Sequence, residues 1–161
     1  MKDKKMSSKE CIEFFEQAVE YWSKRLRVHI DEIRRDRRFV GHMITWFEWE
    51  PIKVQLCYND LRLKYWSKAL ILCGIFHEFN HIREGYSGKM KPNTGDLETN
   101  ILEEYRAEKY ALRCMKKWYP NMVKEVCEFT KKKMTLKKWR KDYPIHLKAW
   151  SRIPDYKEDK K

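Results

Sequence analysis

The chain has 161 residues, 42% of them hydrophobic and 14% aromatic, with 36 Lys and Arg against 24 Asp and Glu for a formal charge of +12. That length suits a single domain around one core spanning residues 1–161, and that apolar content excludes a disordered polyelectrolyte. The longest apolar run, Ala69 to Phe76, is far short of the roughly 20 residues that span a bilayer, and the Lys-rich start lacks the apolar stretch of a secretory signal, so a cytoplasmic protein without membrane contact is expected.

Ser7-Ser8-Lys9-Glu10 has the form of a capping box, and Ile12, Phe15, Val19, Trp22 and Leu26 follow at helical spacing, which predicts a helix over 8–27. Arg27 to Arg38 shows no clear period and reads as a further helical turn or a basic connector. Met43 to Phe47 and Ile52 to Tyr58 are rich in β-branched and aromatic residues and predict two strands, with Pro51 between them or at an edge. After an Asn59-Asp60 turn, Leu63, Trp66, Leu70, Ile71, Ile75 and Phe76 predict one long buried helix running on through residue 81. Gly85 to Gly95 reads as a loop, Ile101 to Trp118 as a helix ending before Pro120, and 121–132 as another. Thr135 is placed as the cap of a short last helix, Pro144 as a start or interruption, and 1–6 with 155–161 as flexible tails.

The chemistry is concentrated in His77-Glu78-Phe79-Asn80-His81. Residues four apart share a helical face, so His77 and His81 can offer two imidazole nitrogens to one ion, and Zn²⁺ suits that donor. Glu78 stands about 100° around the helix from His77, within reach of a water on that ion without being a ligand, which is the place of a general base. A catalytic zinc takes a third protein ligand, and the acidic helix from Glu103 to Ala111 is where to seek it. There Glu104 and Glu108 share a face, and Ala107 and Ala111 permit close packing.

His77 to His81 followed by Glu104-x-x-Ala107-Glu108 resembles the gluzincin type of zincin metallopeptidase, and is similar to the small ImmA/IrrE-type peptidases of bacteria, phages and mobile elements, over roughly residues 50–115. The resemblance implies an α+β, zincin-like fold in which a small antiparallel sheet packs on an active-site helix with several further helices. It also implies zinc held by His77, His81 and Glu104, with Glu103 as runner-up for the third ligand. Glu78 would be the general base for metal-assisted hydrolysis of a peptide or protein, and Glu108 would orient a ligand histidine from behind. The chain departs from the pattern with Glu108 where Asp is usual and Arg106 where another Glu is often found. Tyr86, His146 and Tyr143 are candidate donors to the developing oxyanion.

Other residues read more blandly. The five cysteines, Cys11, Cys57, Cys73, Cys114 and Cys127, contain no Cys-x-x-Cys pair and read as reduced thiols. Trp46, Trp49, Trp66, Trp118, Trp139 and Trp150 read mostly as core or half-buried anchors, and His29 and His42 as structural or exposed. The basic runs at Lys2 to Lys5, Arg34 to Arg38, Lys131 to Lys133 and Lys137 to Lys141 form a solvated face or one that meets nucleic acid. Beside the peptidase, the alternatives are a basic nucleic-acid-associated protein and a catalytically inactive zincin-fold binding protein.

Overall fold

The computed structural model describes residues 5–39, 41–92, 96–126 and 134–151, with backbone alone from 145 onward, so the expected tails, Cys127 and the end of the helix expected over 121–132 lie largely or wholly outside it. Helix α1 spans Ser8–Leu26. Its capping box forms as read, Ser7 Oγ accepting from Glu10 N at 3.1 Å and Glu10 Oε2 from Ser7 N at 2.6 Å. Phe15, Val19 and Trp22 bury one stripe, and Arg27 ends the helix in the left-handed region at φ 55°.

A mixed three-stranded sheet follows, of order β1-β3-β2, from β1 (Glu32–Arg35), β2 (Met43–Trp49) and β3 (Ile52–Tyr58). The antiparallel sheet expected from sequence is therefore only the β2–β3 pair, because β1 adds parallel to β3 with Ile33 opposite Leu56. The stretch read as a helical turn or connector is a strand held by polar anchors. The Asp31 carboxylate accepts from Val54 N at 2.7 Å at one end, and Asp36 N donates to Tyr58 O at 2.9 Å at the other.

The single long helix expected after Asn59 is broken. Asn59 caps the short α2 (Asp60–Leu63), and Ser67 then starts α3 (Lys68–Ser87) by accepting from Leu70 N. Gly85, expected to open a loop, lies inside α3, which ends at Gly88 with φ 78°. Its reason is contact: a Cβ on Gly85 would stand 2.6 Å from Phe47, and one on Gly74 2.8 Å from Trp66 and 3.0 Å from Met43. Met43, Thr45 and Phe47, on one face of β2 by the two-residue strand period, lie along α3 at Gly74, Glu78 and Gly85. The two glycines let the sheet settle onto the helix that carries the histidines.

Helix α4 (Leu97–Trp118) starts earlier than expected because Asp96 caps it, accepting from Glu98 N and Thr99 Oγ1. A 3-10 turn (Pro120–Met122) and α5 (Val123–Val126) follow, then α6 (Leu136–Ser151), with Thr135 Oγ1 accepting from Lys138 N. α6 continues through Pro144, whose missing N–H removes one helical hydrogen bond without ending the run. The main core joins α1, the sheet, α3 and the far half of α4, while Ile101, Met134, Trp139 and Tyr143 form a smaller one that fixes α6 on the start of α4. Trp139 Nε1 donates to Ile101 O in that second core. Cys11, Cys57, Cys73 and Cys114 are buried free thiols, and Trp46, read as an anchor, is 49% exposed. Among the described residues no helix is long and apolar enough to cross a membrane.

Candidate metal centre

α3 and α4 pack antiparallel, so that His77 meets Glu104 and Glu108 while His81, one turn on, meets Glu104 alone. Ala107 and Ala111 are fully buried, and their small side chains allow the approach. His77 Nε2 lies 3.0 Å from Glu104 Oε2, and His81 Nε2 lies 3.0 Å from Glu104 Oε1. The two Nε2 atoms are 3.1 Å apart.

Two neutral imidazoles cannot satisfy this triangle with protons alone. If each Nε2 carries a hydrogen for its Glu104 oxygen, the two N–H groups face one another; if one does not, Glu104 loses a donor. A cation among the donors removes the conflict. Ligands about 2.0–2.1 Å from a tetrahedral zinc stand about 3.3 Å apart; the two Nε2 atoms are near that spacing at 3.1 Å, and with one ligand atom from each residue all three lie within 4.8 Å of one another. His77, His81 and Glu104 form the cluster among the described residues able to hold a metal ion, and their donor chemistry fits zinc.

Behind the triangle, Glu108 Oε1 lies 2.7 Å from His77 Nδ1, against the back of the ring, and helps to raise its pKa. His81 Nδ1 is buried without a partner among the described residues. Burial, the largest single influence, works against protonation of both imidazoles, but the charge and hydrogen bonding of Glu104, joined by Glu108 at His77 and by Glu78 at His81, together outweigh it and raise both pKa values above the ordinary 6.5. For Glu104 burial is likewise outweighed: the two rings hold its carboxyl well below the ordinary carboxylate range.

Glu78 is 8% exposed, and its Oε2 accepts from the Thr45 hydroxyl at 2.7 Å. Burial raises its pKa against the pull of His81 and His77. Thr45 was not singled out from the sequence, although a polar residue between Met43 and Phe47 on the inward face of a strand is the signal that marks it. Glu103 makes no contact at ion-pair distance with either imidazole among the described residues; burial raises its pKa, against the pull first of His81 and then of Arg106. Glu84 is buried, paired through Oε1 with Arg106, and its Oε2 has no partner among the described residues.

The three expected oxyanion donors part company. Tyr143 is buried in the smaller core within electrostatic range of the centre: burial, with the charges of Glu104 and Glu103, pushes its phenol up to about 12. Tyr86 is not brought to the centre. It follows His81 by five residues, about 140° around the helix, and packs against His29 with ring centroids 6.3 Å apart. The side chain of His146 lies outside the described residues. In comparisons with family models, curated proteins and solved structures, nothing matches this chain.

Proposed function

We propose that this chain is a zinc-dependent peptidase of the zincin kind, with His77, His81 and Glu104 as metal ligands and Glu78 as general base. The carrying observation is the triangle of His77 Nε2, His81 Nε2 and the Glu104 carboxylate, with edges of 3.0 to 3.1 Å and a buried carboxylate beside it. Zinc bound there supplies a Lewis acid for a carbonyl and water acidified to a pKa of about 7. Glu78 takes the proton of the attacking water. The Thr45 hydroxyl fixes Oε2, which leaves Oε1 for that proton, and the raised pKa brings Glu78 closer to the operating pH of a base. Glu108 holds the His77 ring from behind. Tyr143, buried within electrostatic range of Glu104 and protonated at neutral pH as any phenol is, is the donor we assign to the oxyanion.

A peptide substrate is favoured by the sheet edge. Among the described residues β2 pairs with β3 alone, and Thr45 in that edge strand touches Glu78. An extended peptide adding to the open side of β2 by main-chain hydrogen bonds would run past the base. The test is metal content and cleavage of a peptide library read by mass spectrometry. One zinc per chain is expected, lost in His77→Ala and retained in Glu78→Gln, with hydrolysis reduced by about 10²–10⁴-fold in the latter. Purified protein that takes up no zinc, or Glu78→Gln protein that cleaves at the original rate, would overturn the reading.

A further inference from the structure

Beside the metal cluster, sharing none of its residues, a cleft of about 990 Å³ opens between the end of α1, α3 and α4. Six cations line it from separate parts of the chain: Arg27, Arg83, Lys89, Arg106, Lys109 and Arg113. Glu84 is the only carboxylate among the lining residues, and Arg106 engages it. Among the described residues none of the other five cations has a carboxylate at ion-pair distance. Three of them are steadied by rings that carry no charge: Arg83 stands 4.8 Å and Arg113 5.9 Å from the centre of Tyr110, and Lys109 5.3 Å from that of Tyr105. Asn80, 8% exposed, lines the same cleft with its Nδ2 unpartnered among the described residues.

Like charges gathered without counter-charge repel one another, and the repulsion is relieved when an anion enters. The array also continues past the cleft. Arg106, Lys109, Arg113, Lys116 and Lys117 recur at three- and four-residue intervals on α4, a stripe roughly 16 Å long at the helical rise. It ends at Trp118, whose ring carries Lys117 at 4.7 Å and Arg25 at 4.6 Å. A single small anion has no use for so long a stripe, whereas a strand of phosphates does. Tyr86, 41% exposed in the cleft wall, offers an aromatic face to an unpaired base.

We infer that this cleft and the α4 stripe bind the phosphate backbone of single-stranded nucleic acid, with Tyr86 as a stacking platform. A single strand fits better than a duplex, because the cations lie within a cleft between helices and Tyr86 needs a base free of its complement. This inference is independent of the peptidase reading.

Fluorescence anisotropy with a labelled oligothymidine about 15 nucleotides long tests it, at about 150 mM salt. Unlabelled duplex and inorganic tripolyphosphate serve as competitors. Lys109→Glu with Arg113→Glu is expected to weaken binding about tenfold or more and to lower the log–log salt slope by about 1.4, at about 0.7 per lost single-strand phosphate contact. Lys53→Glu with Lys68→Glu makes the same charge change outside the cleft and is expected to weaken it less than about threefold. Tyr86→Leu is expected to cost the oligonucleotide about fivefold while leaving tripolyphosphate binding unchanged. All five positions are exposed, and circular dichroism checks that each variant folds. Equal losses from the two charge-reversed pairs, tighter binding of the duplex, or full displacement by equimolar tripolyphosphate would overturn it, as would no saturable binding at all.

Discussion

α4 presents two opposite environments from one helix. Its inward face sets Glu104 and Glu108 against the imidazoles of α3, so each carboxylate is matched by a partner within 3.0 Å. Its outward face carries Lys109, Arg113, Lys116 and Lys117 in the exposed part of the structure, with none of them held by a carboxylate among the described residues. The difference teaches where charge is costly. Buried charge has to be met by an opposite charge, whereas solvated charge can be accumulated for a ligand at little expense in stability. Arg106 stands at the boundary, since it belongs to the basic stripe yet pairs with the buried Glu84.

That boundary gives the largest expected effect on stability. Arg106→Ala leaves the Glu84 carboxylate buried with neither oxygen engaged, and a loss of about 3 kcal/mol is expected. Lys109→Ala, one turn away and exposed, is expected to stay within about 0.5 kcal/mol. Urea unfolding of the two variants checks the contrast, and equal losses would show that the two faces are not energetically distinct.

The next effect belongs to the inward face. Because the His77 and His81 pKa values are raised above 6.5, their protonated forms stabilise the metal-free protein. That contribution is fully present below pH 6.5 and is lost as pH rises through the raised values. Zinc needs the same nitrogens deprotonated. The rise in Tm on adding zinc should therefore be small near pH 6 and larger near pH 8, by about 1–3 kcal/mol of differential stabilisation. A Tm increment independent of pH would place the ion somewhere other than on these rings.

How much of this could be read beforehand depends on whether a contact is local. The capping box at Ser7 and the strands at Met43 to Phe47 and Ile52 to Tyr58 declare themselves in adjacent residues. β1 does not: its one apolar side chain, Ile33, is 39% exposed, and its place is fixed by hydrogen bonds of Asp31 and Asp36 to a strand some twenty residues on. Gly85 reads as a breaker because its purpose, room for Phe47, lies on another element. The meeting of His77, His81 and Glu104 was legible because two of them are four apart on one helix and the third is on the next helix. Thr45 and the misplaced Tyr86 were not, since each depends on how one element is rotated against another. The basic cleft was hidden for the same reason, as Arg27 joins Arg83 and Arg113 only through packing.

Arg27 also supplies the smallest and sharpest effect. It closes α1 at φ 55°, where an L side chain is strained and glycine is not, with its N–H directed at Lys24 O and Ser23 O. Arg27→Gly relieves that strain, although glycine loses more backbone freedom on folding, so a net gain of about 0.5–1 kcal/mol is expected by urea unfolding. The same change removes a cation from the cleft wall, so oligothymidine affinity should fall while stability rises. A purely structural role for Arg27 predicts the first shift without the second. Opposite movement of the two quantities therefore ties the strained helix end to the ligand.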